Sequence, residues 1–239
     1  MRTAFWVILV ILVYLGFEFG AFWYRAKHLP DLPVPDQSDK TLGNGPTLRY
    51  IAAGDSITVG TGASETARTY PYGVLLELSK SNQVVYRNIA VGGFKTGDVL
   101  NKQIQQIIDF KPDIVTISIG GNDATHLIPV GQIIKNYKEI INRLEQGTTA
   151  KIYISDIPNF NGARLLPWFY IKLLEYRTKQ INPELLKLNT SRTTIINIHD
   201  FGDYAAPHPT GVFAGDNFHP NDKGYQNWAQ AFLAKITAQ

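Results

Sequence analysis

The chain has no cysteine. That absence removes disulfides, thiolate metal sites, a cysteine nucleophile and lipidation through an N-terminal cysteine. It leaves the redox compartment open, because a chain without thiols is at ease on either side of a membrane. Charge is scarce as well: 18% of residues are charged, the formal net charge is +3, and no run of Lys or Arg forms a stripe. Nucleic acid is therefore not an expected partner. With 44% hydrophobic residues the composition is that of a folded protein, and 239 residues are enough for one well-buried domain with a short appendage.

From Ala4 to Tyr24 charge almost disappears, with Glu18 the one charged residue in AFWVILVILVYLGFEFGAFWY. A helix of that length spans roughly 31 Å at about 1.5 Å per residue, close to the hydrocarbon thickness of a bilayer. Trp23 and Tyr24 stand where aromatic belts form, and Arg25 and Lys27 follow. A core helix would show a polar face. A cleaved signal peptide needs small residues before the cut, yet cleavage after Ala21 or Ala26 would place Phe19 or Tyr24 there. Residues 1–25 are thus expected to be an uncleaved single-pass anchor in the cell membrane. Arg2 and the amino terminus nearly balance Arg25 and Lys27; the remaining chain is expected on the extracytoplasmic side.

Residues 26–47 hold Pro30, Pro33, Pro35, Pro46 and the run Gly43-Asn44-Gly45. Prolines at that density oppose helix and sheet, so a linker is expected, a stalk reaching at most about 3.1 Å per residue. The domain is read as residues 48–239. Short apolar runs at 48–53, 84–90, 113–119, 151–154 and 194–198 read as five strands. Between them lie helix-period segments at 98–110, 133–144 and 167–188, and 221–236 closes the chain. Alternating strands and helices predict a three-layer α/β/α domain around a mainly parallel five-stranded sheet. Ligands in such folds sit beyond the carboxyl ends of the strands.

Four polar blocks fall there. Gly54-Asp55-Ser56 follows the first strand, where a serine at a strand-to-helix turn can expose its hydroxyl beside helix amides; an N-cap is the ordinary alternative. Gly92-Gly93 follows the second and permits close approach of backbone to a ligand, as any turn glycine does. Gly120-Gly121-Asn122-Asp123 follows the third; Asn122 can aim an amide at developing negative charge, although Gly-Asn-Asp is also ordinary turn chemistry. Asp216-Asn217-Phe218-His219 precedes the last helix, with a carboxylate three residues before an imidazole and Pro220 opening the helix.

Taken together the blocks resemble those of the GDSL or SGNH hydrolases, a match over residues 48–239. Gly92 stands where serine is common in that family, and Asn217 where glycine is frequent. The resemblance implies a flavodoxin-like fold and a serine esterase, lipase or lysophospholipase-like enzyme acting through an acyl-enzyme. It implies Ser56 as nucleophile, His219 as general base, Asp216 as its orienting carboxylate, and an oxyanion hole of Ser56 N–H, Gly93 N–H and the Asn122 amide. No metal or organic cofactor is implied. Family substrates include lipid esters, thioesters and sugar O-acyl groups, and no motif here chooses among them.

Other readings stay open. A flavodoxin-like phosphate or flavin binder could use Thr58–Ser64 (TVGTGAS), and a catalytically inactive surface module would need none of these roles. The Gly-x-Ser-x-Gly elbow of α/β-hydrolases is absent, because Thr58 stands two residues after Ser56. His28, His199 and His208 lack a catalytic context; His126 lies just after the third block. Finally, Trp168 and Phe169 open a helix near the expected mouth of the site. They are either an aromatic-rich core element or residues that line an acyl groove or touch lipid.

Overall fold

Alternation along one strand divides the molecule into layers. In β2 (Thr47–Gly54), Tyr50 and Ala52 face one side of the sheet while Ile51 and Ala53 face the other, and all four are fully buried. The computed structural model describes residues 2–205, 207 and 209–238; His208, named above, lies outside them. The elements are α1 (Arg2–Lys27), β1 (Lys40–Leu42), β2, α2 (Ser56–Val59), α3 (Tyr70–Leu78), β3 (Gln83–Asn88), α4 (Thr96–Asp98), α5 (Ile104–Phe110), β4 (Ile114–Ser118), α6 (Gly121–Thr125), α7 (Val130–Gly147), β5 (Lys151–Ser155), α8 (Trp168–Leu186), β6 (Thr193–Ile196), α9 (Asp200–Ala205), α10 (Pro209–Val212) and α11 (Asp222–Ile236).

The sheet has six strands in the order β1-β3-β2-β4-β5-β6. Neighbours from β3 to β6 run parallel, and β1 pairs antiparallel with β3. On one face α5, α7 and α8 bury Ile107, Ile133, Tyr137, Ile140, Leu144, Leu174 and Ile181 against Ile51, Val115, Ile117, Ile152 and Ile154. On the other, α3 and α11 bury Tyr70, Val74, Tyr225, Trp228 and Phe232 against Tyr50, Ala52, Tyr86 and Tyr153. Each large aliphatic or aromatic side chain so buried contributes roughly 1.5–3 kcal/mol. Strand order reverses around β2 and β4: the chain leaves β2 toward β3 but continues from β4 toward β5. The crevice at such a reversal is where ligands bind in open α/β sheets.

The segment read as a free stalk is docked. Pro35 is buried, Pro33 O accepts from Gly62 N at 3.0 Å, Gln37 Nε2 donates to Ala90 O at 3.1 Å, and Thr66 Oγ1 donates to Asp36 O at 3.2 Å. Lys40–Leu42 then adds the sixth strand, against Val84–Tyr86. Proline removes an N–H but leaves a carbonyl and an apolar ring, which suffice to strap an extended chain onto a surface, and residues 40–42 contain no proline. α1 is mostly exposed, with Glu18, Ala21 and Phe22 partly covered, and has a mean hydropathy of 2.2 in its apolar window; it is long and apolar enough to cross a membrane.

Candidate active site

β2 ends at Gly54, whose φ of +130° and position against Ser118 O, where a Cβ would come within 2.0 Å, admit only glycine. The turn is fixed from below by Gln103, a buried side chain on a π-helical stretch, Val99–Gln103, between α4 and α5. Its Oε1 accepts from Gly54 N at 3.0 Å, and its Nε2 donates to Gly54 O at 3.1 Å and to Ile89 O at 3.0 Å. Asp55 then caps α2, accepting from Ile57 N at 3.0 Å. Ser56 is therefore the first residue of a one-turn helix, half-buried at the carboxyl edge of the sheet. Loss of solvation pushes the buried Asp55 carboxyl up to about 7, against the Ile57 amide and the His219 charge, which pull it down.

The last block reaches Ser56 from the far end of the chain. His219 Nε2 lies 2.9 Å from Ser56 Oγ, and His219 Nδ1 lies 2.6 Å from Asp216 Oδ2. With Nδ1–H donating to the carboxylate, Nε2 is left as acceptor for the serine hydroxyl. Asp216 Oδ1 also accepts from the backbone N–H of Phe218 and His219, each at 3.0 Å. Burial pushes the Asp216 carboxyl up, but the bond to His219, the imidazole charge and these amides outweigh it and hold the group below its usual range. Asn217 has φ of +55°, a left-handed conformation that asparagine adopts more readily than other non-glycine residues. The departure from glycine noted in the sequence is thus accommodated.

The second and third blocks meet beside the serine. A Cβ at Gly92 would sit 3.9 Å from Ser56 Cβ, and Gly93 has φ of +80°. Asn122 Nδ2 donates to Phe94 O at 3.0 Å, which leaves its second amide hydrogen uncommitted to that bond. Asp123 is buried and accepts from Thr96 N at 2.9 Å and Thr96 Oγ1 at 2.6 Å, tying α6 to α4. Among the described residues, neither the Ser56 nor the Gly93 N–H is engaged in another hydrogen bond. Such an arrangement sets amide donors near a hydroxyl–imidazole pair, a combination of groups that acyl transfer can use.

A cavity open to solvent adjoins Ser56 and Asn122. Its apolar wall includes Ile119, Phe160, Phe201, Phe213, Phe218 and Trp228. These aromatics were not singled out in the sequence: Trp228 reads as core at helical spacing from Tyr225 and Phe232, and the others stand in loops and short helices. Trp168 and Phe169 do not line it. Both are exposed, because α8 starts at Trp168, five residues beyond the cavity-lining Ala163, and carries them outward. His126 is exposed, with Nδ1 2.8 Å from Asn122 O. His199 Nδ1 lies 3.0 Å from Asn182 Nδ2, and His28 Nδ1 lies 2.8 Å from Tyr24 O. The glycine-rich loop 58–64 is filled by protein atoms: a Cβ at Gly60 would strike Thr69, one at Gly62 would strike Ala214 and Pro220, and Ser64 bonds Asp222 through both N–H and Oγ at 2.7 Å.

A family model for the GDSL-like lipase/acylhydrolase family matches residues 52–226. No curated protein matches the sequence at a significant level. Among solved structures, a lipase from a goat rumen metagenome is similar at TM-score 0.62 and 22% identity, over 78% of this chain and 96% of that one. A psychrotrophic esterase from Pseudoalteromonas sp., inhibited by monoethylphosphonate, matches at TM-score 0.58 and 19% identity, over 80% and 97%. An acetyl xylan esterase from Geobacillus stearothermophilus matches at TM-score 0.60 and 18% identity, over 82% and 96%.

Proposed function

The chain belongs to the GDSL-like lipase/acylhydrolase family and is an ester hydrolase, and from that premise we propose that Ser56, His219 and Asp216 carry the reaction. The observation that supports the assignment is the unbroken hydrogen-bonded line from Asp216 Oδ2 through His219 to Ser56 Oγ, with spans of 2.6 Å and 2.9 Å. His219 Nε2 takes the Ser56 proton as Oγ attacks the acyl carbon. The carbonyl oxygen becomes an oxyanion facing Ser56 N–H, Gly93 N–H and the Asn122 amide. Collapse breaks the ester C–O bond, and the leaving alcohol takes the proton from His219. Water, deprotonated by the same imidazole, attacks the acyl-serine and releases the acid. Asp216 holds the ring orientation and stabilises the imidazolium in both halves.

The apolar lining of the cavity favours an acyl chain as the group bound there, whether from a lipid, a thioester or an acylated glycan. We also propose that α1 is a single-pass anchor that leaves the hydrolase domain on the extracytoplasmic side of the cell membrane. Its apolar length and the lack of buried residues in its apolar window support the anchor. Protease treatment of intact cells tests the side: the domain should be digested without lysis. A fluorophosphonate probe tests the chemistry. It should label the wild-type chain at Ser56 and fail on Ser56→Ala; equal labelling of both would reject the nucleophile.

A further inference from the structure

The first half of α8 presents a partly exposed apolar face. Phe169, Leu173 and Tyr176 recur at helical spacing and are 37%, 40% and 63% exposed, with Trp168 beside them at 57%. Next to this face is Leu127, 45% exposed and held at φ of +55°, where glycine would be unstrained. Two bonds fix that turn against α8: Tyr170 Oη donates to Thr125 O, and Arg177 donates to Ile128 O. Leu127 follows the Asn122 helix and Trp168 stands five residues after the cavity-lining Ala163, so the band is joined to the site by short lengths of chain at two places.

The same band meets α1. Trp168 N lies 3.4 Å from Glu18 Oε2. α8 begins after Pro167, which provides no side-chain cap, so Glu18 supplies an acceptor and a negative charge at the start of that helix. Glu18 is nine residues before Lys27, about 14 Å down the helix axis at 1.5 Å per residue. The domain therefore touches α1 within its apolar stretch. An ionisable group in such a stretch calls for a partner, and the first turn of α8 is that partner.

We propose that Leu127, Trp168, Phe169, Leu173 and Tyr176 form a lipid-contact surface, level with the outer part of α1, that turns the mouth of the active site toward the bilayer and selects membrane-resident acyl esters. The proposal rests on the anchored-esterase reading above. Large apolar side chains on a surface continuous with a membrane-spanning helix match lipid in chemistry, and the exposed aromatics suit the interfacial zone.

The absence of cysteine makes a clean test. Full-length Ser56→Ala protein carrying Leu173→Cys or Leu186→Cys is spin-labelled and reconstituted into phosphatidylcholine–phosphatidylglycerol vesicles. Leu186 is equally exposed but stands at the far end of α8. Oxygen should relax the label at position 173 at least threefold more than at 186, with the reverse order for a water-soluble nickel chelate. Equal accessibility at the two positions overturns the surface. Spin–spin broadening at 173 that persists on dilution with unlabelled lipid assigns the face to a second copy instead.

The substrate arm uses Leu173→Asn/Tyr176→Asn in proteoliposomes. Turnover of nitrophenyl acetate should stay within twofold of wild type, while turnover of a bilayer-resident monoacylglycerol falls at least tenfold. Equal loss on both substrates, or a wild type that cleaves the soluble ester and ignores the lipid ester, overturns the substrate assignment. Lipid contact at position 173 in a wild-type chain that neither cleaves esters nor takes a fluorophosphonate would reject the Ser56 chemistry and the substrate assignment, and leave only the surface standing.

Discussion

Ser56 Oγ and His219 Nε2 lie 2.9 Å apart although 163 residues separate them in the chain. Ser56→Ala and His219→Ala should each lower kcat by up to about 10⁶-fold, and the double variant should be no worse than either single one, because the two groups act as a unit. Burst-phase kinetics on a nitrophenyl ester measure this. A double-variant defect equal to the product of the two single defects would show independent roles.

Asp216→Asn is expected to cost about 10⁴-fold, the scale set by the corresponding change in a serine protease triad. The amide keeps one acceptor for the Phe218 and His219 N–H groups but offers no charge to the imidazolium. Circular dichroism should be unchanged. A loss below tenfold would mean that the backbone, not the carboxylate, orients the ring.

Asn122→Ala removes a donor that would act chiefly on the oxyanion. The expected loss is about 10²–10³ in kcat with little change in KM. A rise in KM at constant kcat would instead place Asn122 in ground-state binding.

Gln103 bonds Gly54 through both amide atoms and Ile89 through its nitrogen. Gln103→Leu leaves Gly54 N and Ile89 O without those partners, at about 1–3 kcal/mol for each orphaned group, while Gly54 O keeps the Val91 N–H. Urea unfolding should show a loss of that order, and kcat should fall with it because the serine turn loses its support. Unchanged stability would mean that water replaces the amide.

Burial pushes Asp55 and Asp156 up to about 7, while a carboxyl in the unfolded chain titrates near 3.9. Between these values the folded chain binds more protons than the unfolded one. Their contribution to stability is therefore fully present below about pH 4 and is lost as the pH rises through 7. Asp216, shifted down, works in the opposite sense and loses its contribution in acid. Asp55→Asn keeps an acceptor for Ile57 and should narrow the difference in Tm between pH 5 and pH 8. An unaltered difference would show that Asp55 is ionised in the folded state.

Much of this was legible in local chemistry. The short apolar run at 48–53 and the four polar blocks at strand ends need only short stretches of chain to be recognised. What escaped depends on distant partners. Lys40–Leu42 is strand only because Val84–Tyr86 offers a free edge. Gln103 looks like one more polar residue in an amphipathic segment, and its partner Gly54 is 49 residues away. Trp168 and Phe169 were expected beside the site and stand exposed outside its cavity, because a side chain's hydrophobicity does not say whether it faces a cavity or the surroundings. Asp216-Asn217-Phe218-His219 was the easiest to read, since its carboxylate and imidazole are one turn apart.

The docked strap from Pro30 to Leu42 sets how far the enzyme can roam. A loose tether of that length would let the domain sample a wide hemisphere and reach esters on a facing surface. Here Pro33, Pro35, Gln37 and the strand pairing take up the slack, so an anchored molecule has almost no vertical travel. With α1 as the anchor proposed above, its encounters would become a two-dimensional search, governed by lateral diffusion in the leaflet. Rate should then scale with the surface density of substrate and not with its bulk concentration.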